Sequence, residues 1–123
     1  MTQITDNGRD WYQDRARGDG KPIDEVAVGS GSGSEADDAT ALADEEYRGQ
    51  IADGNIELED TDDTGRLYAT IEIAGGTEVS GGTDISEMGI FAGGVLVWVD
   101  NFDTVEIEPG VTEEFTMPFE IRR

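Results

Sequence analysis

The chain has 123 residues, of a size with one domain, and sets 29 Asp plus Glu against 8 Lys plus Arg, a formal net charge of −21, with neither His nor Cys. This balance argues against nucleic acid and anionic membranes, which are held by Lys and Arg that displace counterions, and the lack of cysteine removes disulfides, thiolate metal sites and thiol catalysis. A small body with this much like charge repels itself unless salt is molar, where the Debye length falls to about 3 Å.

Lys21 is the only lysine, and an acid-rich, lysine-poor composition is that of proteins adapted to saturated brine. High net charge also accompanies disorder. Here the acids are interleaved with strand patterns rather than gathered into a block, which favours a folded domain. No apolar run approaches the roughly 20 residues of a spanning helix, and Met1 is not followed by a charged-then-apolar leader pattern.

Residues 1–22 read as an N-terminal arm. Thr5 to Arg17 predicts a short helix with Thr5 or Asp6 as its cap, and Asp6 and Asp10 near its positive end. Beyond Ile4 its apolar side chains are Trp11, Tyr12 and Ala16 only. So sparse a stripe needs a partner surface, either its own domain or, as the expectation leans, a neighbouring subunit. Gly18 to Gly20 stops the helix.

Residues 23–123 read as an antiparallel β-domain. Ile23 to Val28 predicts the first strand. The loop 29–38, which opens Gly29-Ser-Gly-Ser-Gly-Ser, is expected to be flexible; its spacing falls short of a dinucleotide fingerprint, and the acids after it would repel phosphate. Thr40 to Tyr47 predicts one or two helical turns. Ile56 and Leu58 then alternate with acids, and Leu67, Ala69, Ile71 and Ile73 alternate with polar residues, the period of half-buried strands. Val105 and Ile107 precede a Pro109-Gly110 turn. In the closing strand Phe115, Met117, Phe119 and Ile121 share one face, and Pro118 marks a sheet edge or bulge. The fold class is mainly β, a small antiparallel β-sandwich with a short N-terminal helical arm.

The strongest local signal is Gly82 to Phe102, where two β-branched and aromatic runs flank Gly93-Gly94, a two-residue hairpin turn. A regular ladder from that turn pairs Ala92 with Val95, Phe91 with Leu96, Ile90 with Val97, Gly89 with Trp98, Met88 with Val99 and Glu87 with Asp100. Both faces near the turn are then apolar, so a partner subunit is expected to cover one of them. Trp11, Tyr12, Ile90, Phe91, Leu96 and Trp98 are the candidates for that interface. The Glu87–Asp100 pair has three readings: a different register, a shared cation, or screening by salt at an exposed site.

The segment Ile85-Ser86-Glu87-Met88-Gly89-Ile90-Phe91 resembles the "I-x-E-x-G-(I/L)-F" signature of tailed-virus fibre and collar proteins. Glu25-Val26-Ala27-Val28-Gly29 is similar to that family's first strand and glycine turn. Leu42-Ala43-Asp44-Glu45-Glu46-Tyr47-Arg48 is similar to its "L-x-x-E-x-Y-R" segment, and Phe115 to Ile121 closes the domain as the family's last strand does. The resemblance covers about Ile23 to Arg123. It implies an attachment domain at the base of a fibre, at the baseplate or at the collar of a virion. It also implies a homo-oligomer, with a trimer favoured, and other tail or baseplate proteins as partners. With the brine composition, the host would be a haloarchaeon and the chain would be assembled in its cytoplasm. Family members often continue into a shaft, so an attachment piece is expected rather than a full fibre. The alternatives are a capsid turret or decoration subunit and, from another class, a cellular binding module or a component of a contractile injection machine.

Asp60-Thr-Asp62-Asp63-Thr-Gly65 resembles the opening of a calcium loop, but the twelfth position is Ile71, which cannot ligate. A plain hairpin loop explains the same residues. Catalysis would rest on carboxylate pairs alone, and a glycosidase needs two of them roughly 5–9 Å apart in a cleft. A 123-residue chain of short strands has little room for one. No enzyme activity, cofactor or metal is expected.

Overall fold

Strands form where β-branched and aromatic runs alternate with polar residues, and glycine, proline and acidic turns separate them. The computed structural model describes residues 3–19, 21–32, 38–61 and 66–120. In chain order come β1 (Gln3–Ile4), α1 (Asp6–Ala16), β2 (Ile23–Gly29), β3 (Glu45–Gln50), β4 (Ile56–Thr61), β5 (Arg66–Ala74), β6 (Thr83–Ala92), β7 (Val95–Ile107) and β8 (Thr112–Glu120), with a 3-10 turn at Ile51–Asp53. They make two antiparallel sheets, β1-β7-β6-β2-β3 and β4-β5-β8. The architecture is therefore the small antiparallel β-sandwich that alternation predicts, with one helix beside it.

The core lies between the sheets. Val26, Val28, Met88 and Ile90 of the larger sheet meet Ile56, Ala69, Ile71, Ile73, Phe115 and Met117 of the smaller, all buried. Phe102 of β7 and Phe115 of β8 pack ring to ring across the gap, with centroids 5.6 Å apart. Burial of side chains this size contributes about 1.5–3 kcal/mol each. The Pro109-Gly110 turn, closed by a bond from the Val111 amide to the Glu108 carbonyl (3.1 Å), carries the chain from one sheet to the other. Pro118 stands on β8, an edge strand, opposite Tyr68, where its missing donor does the least harm.

The hairpin turn at Gly93-Gly94 forms with φ of 57° and 86°, and Ala92 pairs with Val95 and Phe91 with Leu96 as expected. The remaining pairs are corrected. Ile90 lies opposite Trp98, Gly89 opposite Val99, Met88 opposite Asp100 and Glu87 opposite Asn101, with Val97 left as an extra residue in β7. A second irregularity separates these pairs from Ile85–Val105. The physical reason is that Val95 to Val99 is apolar at every position, so alternation cannot select a register. The bulge turns both Val97 and Trp98 into the core cluster, while Leu96 and Val99 join the cluster on the other face.

Two further expectations are corrected. Residues 38–44 form bends and a turn rather than helical turns, and β3 starts at Glu45 because Tyr47 and Arg48 pair with Val28 and Ala27 of β2. Leu58 shares the alternation of Ile56 but is 39% exposed against 4%, since it lies on edge strand β4 opposite the small Ala69. Ile121 and the centre of the Gly/Ser loop, residues 33–37, lie outside the described residues.

Ile71→Ala is expected to lower the unfolding free energy by about 2–5 kcal/mol, whereas Leu58→Ala should cost less than about 1 kcal/mol. Urea denaturation of both variants checks this contrast, and equal losses would contradict the described packing.

Candidate functional site

Glu87 sits inside the apolar run Ile85–Phe91 and is fully buried. A buried carboxylate must find donors, because it can only accept hydrogen bonds. It finds them in the backbone of the segment that joins β2 to β3. Its Oε2 accepts from the amides of Gly31 (2.8 Å) and Asp44 (2.8 Å), and its Oε1 accepts from the amide of Ala43 (2.9 Å). Ser86 adds a bond from its hydroxyl to the Gly31 carbonyl at 2.7 Å. Both ends of the Gly/Ser-rich segment are thereby tied to β6. A Cβ on Gly31 would lie 2.7 Å from the Asp44 amide nitrogen and 2.7 Å from Glu87 Oε2, so the close approach requires glycine there.

The tie decides what covers the outer face of the larger sheet. Ala27, Phe91, Leu96 and Val99 form a second apolar cluster on that face, and Leu42 is buried against it with Ala39 beside it. Arg48 of β3 lays its guanidinium over Phe91, 3.8 Å from the ring centroid, and is paired with Glu45 (2.7 Å) and more loosely with Glu25 (3.7 Å). A cation over a ring in this position is worth about 0.5–2 kcal/mol. The second apolar face of the hairpin is thus closed within the chain, by the strap 38–44 and by Arg48.

The arm docks on the β7 bulge. Thr5 is buried and caps α1: its hydroxyl accepts from the Gly8 amide (2.9 Å) and donates to the Leu96 carbonyl (2.6 Å), while its own amide bonds the Val97 carbonyl (3.0 Å). Gly8 lies so close to the Val97 carbonyl that any side chain would collide with it. Trp11 meets Trp98 edge to face, with centroids 5.6 Å apart at 78°, and its indole N–H donates to the Lys21 carbonyl at 2.5 Å.

The candidate interface residues divide accordingly. Ile90, Phe91, Leu96 and Trp98 are 0–3% exposed within their own chain. The apolar hairpin faces that singled them out are therefore satisfied without a neighbour, which corrects the reasoning behind them. Trp11 and Tyr12 are half-buried on α1, which lies against β7 of the same chain. The Glu87–Asp100 facing pair does not form, and Glu87 is neither exposed nor in need of screening. A single acid within seven otherwise uncharged residues was the sequence signal for this latch. Its donors, a loop 43 to 56 residues away in sequence, left none.

Asp62 and Asp63 lie outside the described residues. Among the described residues no group of three or more His, Cys, Asp or Glu is placed to hold a metal ion, and no helix is long and apolar enough to cross a membrane.

Glu87→Gln is expected to destabilise the fold by about 1–3 kcal/mol, because the amide presents one oxygen where three donors converge and turns its own N–H groups toward another. Glu87→Ala should cost more. Hydrogen exchange at the Gly31, Ala43 and Asp44 amides should quicken in both variants, and unchanged protection there would refute the latch.

Comparison with protein-family models, curated proteins and solved structures finds no match to this chain.

Proposed function

We propose that this chain is a structural component of a tailed-virus particle from a haloarchaeal host, placed at a fibre base, baseplate or collar, and that it works by assembly rather than catalysis. The observation that carries the reading is the fate of Ile85–Phe91, the segment that resembles the fibre and collar signature. Ile85, Met88 and Ile90 fill the inter-sheet core, Ser86 and Glu87 latch the strap, and Phe91 and Gly89 seat it. Every side chain of the segment is consumed inside the fold. Its one acid meets backbone amides instead of facing a cleft, so the segment is a scaffold, as an attachment domain needs. Other tail or baseplate proteins and further copies of the chain are the partners this reading assigns.

Surface charge supports the brine setting. Asp84 faces Glu106 across β6 and β7, and Glu72 faces Glu114 across β5 and β8, all four exposed. Like charges directly opposite destabilise a sheet by a few tenths of a kcal/mol or more, and concentrated salt screens exposed pairs of this kind.

Two measurements test the proposal. Labelling of purified particles with an antibody to this chain should mark tail tips or collars. Labelling of the head would favour the turret or decoration reading, labelling of contractile injection machines the other alternative, and absence from every particle would overturn the virion assignment. The melting temperature should rise steadily between about 0.1 M and about 3 M KCl, beyond the first Debye-length of screening; a flat profile by circular dichroism would remove the brine setting.

A further inference from the structure

The charge of the molecule is divided by position. Residues 1–21 hold four acids (Asp6, Asp10, Asp14, Asp19) and four cations (Arg9, Arg15, Arg17, Lys21), so the arm is formally neutral and the whole −21 falls on residues 22–123. Two copies that met through their β-domains would bring like charge against like charge. The arm is the part of the chain that adds no net charge where it docks.

Its seat is also built for one visitor. The Leu96 and Val97 carbonyls take the Thr5 hydroxyl and amide, and the Trp98 ring takes the edge of Trp11. The helix is poorly equipped to stand alone, with eleven residues, an internal Gly8 and few apolar side chains. What returns the chain to its own β2 is a reversal at Gly18. The Gly18 amide bonds the Arg15 carbonyl, the Asp19 amide bonds the Asp14 carbonyl (2.8 Å), and Gly18 holds φ of 85°. A Cβ there would meet nothing within 4 Å, so backbone conformation alone opposes a side chain at this point.

We infer that the segment β1–α1 is an exchangeable arm: it leaves its own β7 bulge and fills the identical seat on a second copy of this chain, with Gly18 as the hinge that selects between the closed and exchanged forms. Exchange re-forms the contacts of β1 and α1 with β7 and changes the path of the hinge after Gly18, which makes it a low-cost route to an oligomer. The inference rests on the assembly reading above and names its partner.

The test uses the full chain, in which any introduced cysteine is the only thiol. Gln3 and Val99 face each other across β1 and β7, so Gln3→Cys with Val99→Cys places a reporter disulfide at the seat. Under oxidation at high protein concentration in strong salt, the oligomeric fraction should yield covalently linked chains on a non-reducing gel. Gly18→Val, which disfavours the reversal without a clash, should raise the oligomer-to-monomer ratio severalfold by light scattering. An oligomer whose reporter bonds form only within single chains would overturn arm exchange and leave the assembly reading standing. A monomer at every concentration, with Gly18→Val included, would overturn arm exchange and remove further copies of the chain from the assembly reading, whose other partners the particle labelling tests.

Discussion

A carboxylate with no exposure, Glu87, holds this sandwich in its particular form. Moving an ionised group out of water costs several kcal/mol, and each hydrogen bond from a fixed donor to a charged group returns about 1.5–3 kcal/mol. Three backbone amides converge on it at 2.8–2.9 Å, enough to offset that cost. The consequence spreads outward. Gly31 and Asp44 are fixed to β6, the strap 38–44 is held at its Asp44 end, and Leu42 is placed over Phe91 and Leu96. The same carboxylate thus closes the face that a two-sheet sandwich leaves open.

The Val97 bulge is the second organising feature, and it serves two ends. It turns Val97 and Trp98 together into the inter-sheet core and keeps Leu96 and Val99 on the opposite face. The arm's cap residue meets the same stretch of β7, with its hydroxyl on the Leu96 carbonyl and its amide on the Val97 carbonyl. The arm is therefore attached by matched polar groups, by the short β1–β7 ladder, and by Ile4 and Trp11 packed against the core cluster.

The anionic surface limits how such a body can associate. Edge strand β4 has Glu57, Glu59 and Asp60 in its sequence, and edge strand β3 opens with the exposed Glu45 and Glu46. Acids on the edges discourage strand addition by other chains, and the like-charged pairs on the sheet faces discourage face-to-face stacking. Concentrated salt relaxes both restraints.

The sequence by itself determined the elements whose signals are local. Alternation in Leu67–Ile73 and Phe115–Phe119 marked strands of the smaller sheet, the glycine pair marked the hairpin turn, Pro118 marked an edge, and Thr5 marked the start of the helix; each depends on a residue's own backbone preference or on neighbours two to four positions away. Only the tertiary structure decided the register of β7, the role of Glu87 and the cover over the outer face. Val95–Val99 is apolar throughout, so every register buries equally well on paper. Glu87 looked like half of a repulsive pair because its true partners are amides of a loop far away in the chain, and backbone amides carry no mark in a sequence. For the same reason the hairpin's two greasy faces suggested a neighbour, where the chain supplies its own strap and an arginine.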